Sequence, residues 1–312
     1  MRGILPALMT GYDADGEVDT RATQALVDHL LHAGVHGLFV GGTSAEGVAQ
    51  SVAEREHLLS ASIGHVAGAV PVVAHVGTLA TRTTVELARH AQRSGAAAVA
   101  AVTPFYFELN DAALADHYRA LHAAVDVPVY LYHIPSLTGR SLESAWILDL
   151  AHEGVIAGMK YSADDLEFLR QVTTHAPEGF VVHNGADDVL MDGLLSGAVG
   201  GVGSSYNVMP ELYVALFEAV REGRTDDARA AQNAANAVLA TLRNYNFLAF
   251  LREVLHLQGI DLGVSRRPLP ALTEAERADI TAWLDTAPAA VVARATPDRA
   301  AAVRQTRRLP DQ

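Results

Sequence analysis

The chain has 312 residues, half of them hydrophobic, a formal net charge of −13 and no cysteine. That length fits either two ordinary domains or one large α/β barrel with an extension, and the apolar content is ample for a core. Absence of cysteine excludes disulfides, thiolate metal sites and a cysteine nucleophile, while an acidic balance with no basic tract before residue 300 argues against nucleic acid and anionic membranes as partners.

The N-terminal stretch "MRGILPALMTGYDADG" holds a short apolar run that meets turn and acidic residues at once, and no 18 apolar residues run uninterrupted anywhere. A soluble, cytoplasmic protein is expected. Short apolar stretches ending in Gly, Thr, Ser or Pro then alternate with longer amphipathic segments, as strand and helix units do in a parallel sheet. In chain order the expected strands are residues 4–10, 37–42, 71–77, 96–104, 128–134, 156–162, 180–185 and 198–205. Helical segments such as 19–34 and 83–95 lie between them, each closing on a glycine C-cap. Eight such units predict an α/β fold, a (β/α)8 TIM barrel over residues 1–209. Helical stretches at 211–223, 225–244, 247–259 and near 273–286 then form a C-terminal helical extension, residues 210–286. Residues 287–312, made of Ala, Arg and Pro without apolar periodicity, are expected to be disordered or loosely packed.

The sixth expected strand carries the chain's only lysine, Lys160, against 22 arginines. Arginine carries charge as well as lysine does but is no amine nucleophile at neutral pH. A lysine kept within the apolar run "VIAGMKYS", where an ammonium is costly without a purpose, is therefore a candidate for amine chemistry. The competing reading is compositional, the last lysine left by drift in an Arg-rich chain.

Barrel chemistry sits where the C-terminal ends of different strands converge. At those ends stand Thr43 and Ser44 after strand 2, Tyr106 after strand 4, Tyr132 on strand 5, Lys160 on strand 6, Gly185, Asp187 and Asp188 after strand 7, and Ser204 after strand 8. Tyr132 and Lys160 lie on neighbouring strands, about 5 Å apart, so their side chains can meet. Burial disfavours the charged form of an amine, a neutral amine attacks a ketone, and a nearby phenol can move the protons that imine formation and carbon–carbon cleavage require. Tyr132 could equally be a packed barrel tyrosine with its hydroxyl on backbone.

"GGTSAEG" (41–47) supports two readings. Thr43 and Glu46 make a T-x-x-E capping box that would start a helix, and the same glycine-rich turn, with the Ser44 hydroxyl, could cradle a carboxylate on backbone N–H groups. Asp187 and Asp188 lack a nearby His or third acid and make a poor metal site; hydrogen bonding to a polyhydroxylated substrate, or solvent exposure, fits better. The 14 histidines show no metal-binding spacing, and most are expected on helices or the surface.

The motifs "GGTSAEGVAQS", "VVAHVG", "AAVTPFYF", "YLYHIPSLTG", "GMKYSADDL", "HNGADD" and "GGVGSSYNVM" together resemble the pyruvate-dependent class I aldolases of the dihydrodipicolinate synthase and N-acetylneuraminate lyase family, over residues 3–285. The resemblance implies that Lys160 forms a pyruvyl Schiff base with no metal or other cofactor, that Tyr132 is the catalytic phenol, and that Thr43 and Ser44 hold the pyruvate carboxylate. It further implies a homotetramer, a dimer of dimers, in which Tyr106 reaches toward a neighbour's site. Ala45 departs from the glycine usual in the carboxylate loop. Synthases of the family carry an arginine in the segment reading "PSLTG" here, where Leu137 stands, so the resemblance is nearer to the lyase branch. There Asp187, Asp188, Ser162 and Ser204 would bind the sugar chain, with Asp188 one methylene shorter than the usual glutamate and Ser162 in place of a threonine. The expected reaction is cleavage of a 2-keto-3-deoxy sugar acid, N-acetylneuraminate first, to pyruvate and an aldehyde. A dihydrodipicolinate synthase, a hydratase-aldolase or dehydratase with another aldehyde, and a non-catalytic pyruvate-binding sensor barrel are the alternatives.

Overall fold

The eight apolar runs form eight parallel strands: β1 (Gly3–Pro6), β2 (Leu38–Val40), β3 (Val72–His75), β4 (Ala98–Val102), β5 (Val129–His133), β6 (Gly158–Tyr161), β7 (Val181–Asn184) and β8 (Gly200–Gly203). The computed structural model describes residues 1–287, so the expectation for the tail falls, apart from Ala287, outside the described residues. The strands are ordered β1-β8-β7-β6-β5-β4-β3-β2. A parallel bridge between Ala7 and Phe39, with the Leu8 N–H donating to the Phe39 carbonyl, brings the last edge back to the first. The result is the expected barrel. Both faces of each strand are covered, which is why the runs read as continuous apolar sequence and not as an alternation.

Inside the barrel, Leu5, Phe39, Val73, Ala100, Tyr130 and Tyr132 belong to one cluster; the outward residues pack with the helices in a second, larger one. The strands are shorter than the runs that predicted them because flanking residues such as Gly41, Val76 and Thr103 stay buried while leaving the strand. Helices α1 (Thr20–His32), α2 (Val52–Val66), α3 (Thr81–Ser94), α4 (Asp111–His122), α5 (Ser144–His152), α6 (Leu166–His175) and α7 (Leu190–Leu195) connect successive strands, with a single helical turn at Pro135–Thr138 before α5. After β8 come α8 (Pro210–Arg221), α9 (Thr225–Leu242), α10 (Phe247–Leu257) and α11 (Glu274–Leu284). No helix among the described residues is long and apolar enough to cross a membrane.

One element was not anticipated. After β1, residues Gly11–Tyr12 and Val18–Asp19 pair as a short antiparallel ribbon. Its turn is built by Asp13, whose carboxylate accepts from the N–H groups of Asp15 and Glu17, and by Gly16 in the left-handed region.

Four histidines are buried: His75, His117, His133 and His183. Burial pushes His75 and His183 down to about 3, helped at His75 by the Arg55 guanidinium and at His183 by the N-terminal amine, and pushes His117 and His133 down to about 4. Each folded value lies below the ordinary 6.5, so below that pH the unfolded chain takes up protons that the folded chain refuses. The stability these groups contribute is present above pH 6.5 and is lost as the pH falls toward 4 and then 3. Urea unfolding at pH 7.5 and 5.5 should show a loss of about 1.4 kcal/mol per pH unit below 6.5 for each such histidine; a flat profile would contradict their burial as neutral rings.

Candidate active site

Alternation along β6 turns Lys160 into the barrel, and alternation along β5 turns Tyr132 toward it. The two are direct register partners, and Lys160 faces His183 on the other side. Lys160 is only 5% exposed. Its Nζ lies 4.2 Å from the centre of the Tyr132 ring and 4.7 Å from that of Phe39. Among the described residues no carboxylate forms an ion pair with it. The Tyr132 hydroxyl stands 3.4 Å from Thr43 Oγ1, and its ring meets His75 and Phe39 edge-on. A buried amine and a buried phenol thus adjoin an exposed hydroxyl at the cavity, an arrangement that suits imine chemistry.

The loop after β2 resolves the ambiguity of "GGTSAEG". Thr43 and Glu46 do not form the capping box considered from the sequence; the box belongs to Ser51 and Glu54, which start α2. Glu46 instead adopts a left-handed backbone (φ 58°), and its buried carboxylate accepts from Arg252 at 2.7 Å and from the Arg266 N–H at 2.9 Å. The tight return of the chain needs Gly47, where a Cβ would fall 2.1 Å from the Gly41 carbonyl oxygen. Ala45 is not in the left-handed region, so a Cβ there brings no backbone strain. Its carbonyl accepts from Thr10, Tyr12 and Gln50, which ties the loop to the ribbon after β1. Ser44 shares a hydrogen bond with Ser204 across the mouth. Among the described residues, no protein group accepts from the Thr43 or Ser44 N–H.

Two interior residues escaped the sequence reading. His75 shares its Nδ1 proton with the Gly41 carbonyl at 3.0 Å and accepts at Nε2 from the Val102 N–H at 3.2 Å. That tautomer pins the head of the loop to the barrel. Behind it, buried Arg55 donates to the Gly77 and His75 carbonyls, and burial lowers its guanidinium to about 10. Period-two placement marks His75 and His183, the second interior residue, in retrospect, since Val73 and His75 share strand parity, as do Val181 and His183.

A cavity of about 510 Å³ opens at the C-terminal ends of the strands. It brings together Thr43, Tyr132, Lys160, Ser162, Gly185, Asp187, Asp188 and Ser204. Ser44 reaches it only through Ser204. Gly185 is fitted against Ser162, since a Cβ on it would lie 2.1 Å from the Ser162 hydroxyl. Tyr106 does not join the others within the chain: it is 75% exposed, edge-on to Phe107.

The two aspartates differ. Asp187 accepts from the Ser205 N–H and hydroxyl at 2.9 and 2.6 Å, and burial pushes its carboxyl up against those two bonds. Asp188 accepts from Arg243 at 2.8 Å. Among the described residues no three His, Asp or Glu side chains gather to hold a metal ion. Arg243, Leu239 and Leu242 of α9 and its following turn, with Phe247 of α10, form one wall of the cavity. The sequence places that helix in the extension and does not mark these residues as part of a site; the three-residue spacing of Leu239 and Leu242 signals that they share a face.

The sequence profile of the dihydrodipicolinate synthetase family matches residues 1–287. An uncharacterised DapA-like lyase of Halobacterium salinarum is 40% identical over 91% of this chain and 93% of its own. The N-acetylneuraminate lyase of Rhizobium meliloti is 34% identical over 89% and 92%. Among solved structures, YagE of E. coli K12, a prophage protein of the dihydrodipicolinic acid synthase family in complex with pyruvate, superposes with a TM-score of 0.87 at 31% identity, covering 92% of this chain and 98% of that one.

Glu46 and Arg252 are 0% and 4% exposed, so removing one leaves a buried charge without its partner. Glu46→Gln should cost about 3–5 kcal/mol of unfolding free energy in urea; a loss below about 1 kcal/mol would show that the pair does not hold the loop.

Proposed function

We propose, for a chain that belongs to the dihydrodipicolinate synthetase family, cleavage of a 2-keto-3-deoxy sugar acid to pyruvate and an aldehyde, with N-acetylneuraminate yielding N-acetylmannosamine as the first candidate. Enzymes of the family use a lysine Schiff base with pyruvate and no external cofactor. The observation that carries the proposal is the buried amine of the chain's one lysine against the Tyr132 ring, below a loop with unused N–H donors.

In the proposed reaction Lys160 Nζ adds to the C2 ketone, the Tyr132 hydroxyl gives its proton to the departing water, and an iminium and a Tyr132 phenolate result. The Thr43 and Ser44 N–H groups receive the C1 carboxylate, and the Ser44 hydroxyl joins them by giving up its Ser204 partner. The Tyr132 oxygen, next to Thr43, takes the proton of the C4 hydroxyl as the C3–C4 bond breaks, and the bonding electrons pass into the iminium to give an enamine. The aldehyde departs, C3 regains a proton, and water releases pyruvate and the free lysine. Asp187, through its fixed position, and Asp188, Ser162, Gly185 and Ser204 would line the path of the sugar chain. Residues 1–209 would be the catalytic barrel and 210–286 an extension that supplies a wall of the site. We further propose a cytoplasmic homotetramer in which the exposed Tyr106 enters a neighbour's site.

Leu137, 59% exposed at the rim, supplies no cation for a second substrate's carboxylate, which speaks against the synthase reaction. A second reading follows from the wall of Leu239, Leu242 and Phe247: a keto acid whose aldehyde portion is apolar, handled by the same lysine and phenol.

Pyruvate release from N-acetylneuraminate tests the proposal. Lys160→Ala should abolish it, and Tyr132→Phe should lower kcat by about 10²–10⁴-fold. Release that survives Lys160→Ala would overturn the mechanism. Cleavage of apolar-tailed keto acids only, with N-acetylneuraminate untouched, would transfer the assignment to the second reading.

A further inference from the structure

Beyond Lys160, the one cation on the cavity wall among the described residues is Arg243, and it does not stand free. One of its five N–H donors goes to Asp188 Oδ2 at 2.8 Å, and the side chain is otherwise 68% exposed, so most of its donor capacity faces outward. The backbone carbonyl of Asp188 accepts from Asn236 of α9, so both partners are anchored to the same helix–turn unit. The remaining acid, Asp187, has its Oδ2 occupied by Ser205. Ser136 and Ser162 bring further hydroxyls to the cavity, as does Ser204, whose Oγ already shares a hydrogen bond with Ser44.

From this arrangement we propose that Arg243 is a specificity-determining residue, and that the Asp188–Arg243 pair selects a substrate tail that is polyhydroxylated and uncharged. The inference rests on the keto-acid reading of the site. The physical reason is charge cancellation. Asp188 offers an acceptor and Arg243 donors, which together match the donor and acceptor of neighbouring hydroxyls. A tail ending in a carboxylate meets Arg243 only with Asp188 beside it, so attraction and repulsion offset each other while the anion still loses hydration. Specificity is then a matter of the pair's net charge, and each partner can be removed without touching the lysine.

The test compares 2-keto-3-deoxygluconate with 2-keto-3-deoxyglucarate, keto acids of equal carbon number that differ in whether the far end is a hydroxyl or a carboxylate. In the protein as it stands the neutral tail should give the higher kcat/KM. Asp188→Asn leaves Arg243 unopposed and should raise the diacid-to-neutral ratio of kcat/KM by about tenfold or more, chiefly through KM. Arg243→Gln leaves Asp188 unopposed and should lower that ratio, and the double variant should return it toward the starting value. Affinities of the two acids for Lys160→Ala, alone and combined with each substitution, should move in the same directions. That background has no covalent step, so it reads tail recognition whether or not Lys160 forms an imine. Ratios unchanged within twofold in both single variants, or equal affinities across the Lys160→Ala set, would overturn the assignment. Neither result bears on pyruvate release through Lys160, so the two readings fail separately.

Discussion

The alignment of β5 with β6 is the constraint on which the mouth of the barrel depends. Because Tyr132 and Lys160 are direct partners in a parallel pair, both point inward at the same level, and the amine has ring faces for neighbours where a surface lysine has water. A slip of one residue would send Lys160 into the helix layer and bring Met159 or Tyr161 inside. The surrounding apolar strands resist that slip, since each would have to exchange its inward and outward sets at once. A (β/α)8 barrel can therefore hold a costly polar group in place with no dedicated partner for it.

A second layer holds the loop that completes the site. The segment from Gly41 to Gly47 has little regular structure of its own, and its position is set by groups distant in sequence. His75 grips the Gly41 carbonyl from inside the barrel, Thr10 and Tyr12 grip the Ala45 carbonyl from the segment that leads into the ribbon, and Arg252 of α10 grips Glu46. The helices after the barrel are consequently part of the site: α10 fixes the loop from below, while α9 and its following turn form a wall that includes Arg243. Buried ion pairs add little net stability when formed but cost much when broken in half, so Glu46–Arg252 acts as a constraint on geometry.

What the sequence made legible follows from which forces are local. Strand runs, glycine caps and the isolated lysine are written in consecutive residues, and they led to the barrel and to the meeting of Lys160 with Tyr132. The T-x-x-E pattern left two readings open, because a capping box is recognised by spacing alone whereas Glu46 is claimed by an arginine 206 positions away. Arg243 and the apolar wall were missed for the same reason, as nothing near them in sequence says that α9 lies over the barrel mouth. His75 and His183 were within reach, had strand parity been applied to every interior position and not only to the residues already suspected of chemistry.

The central claim is that Lys160 becomes covalently attached to a keto acid. Incubating the protein with pyruvate, reducing with borohydride and measuring intact and peptide masses tests it directly, and the chain's single lysine leaves only the N-terminal amine to control for. The account predicts one reduced pyruvyl group on the peptide that contains Lys160. An unmodified Lys160 peptide would mean that the buried amine is structural, and the account would be wrong at its root.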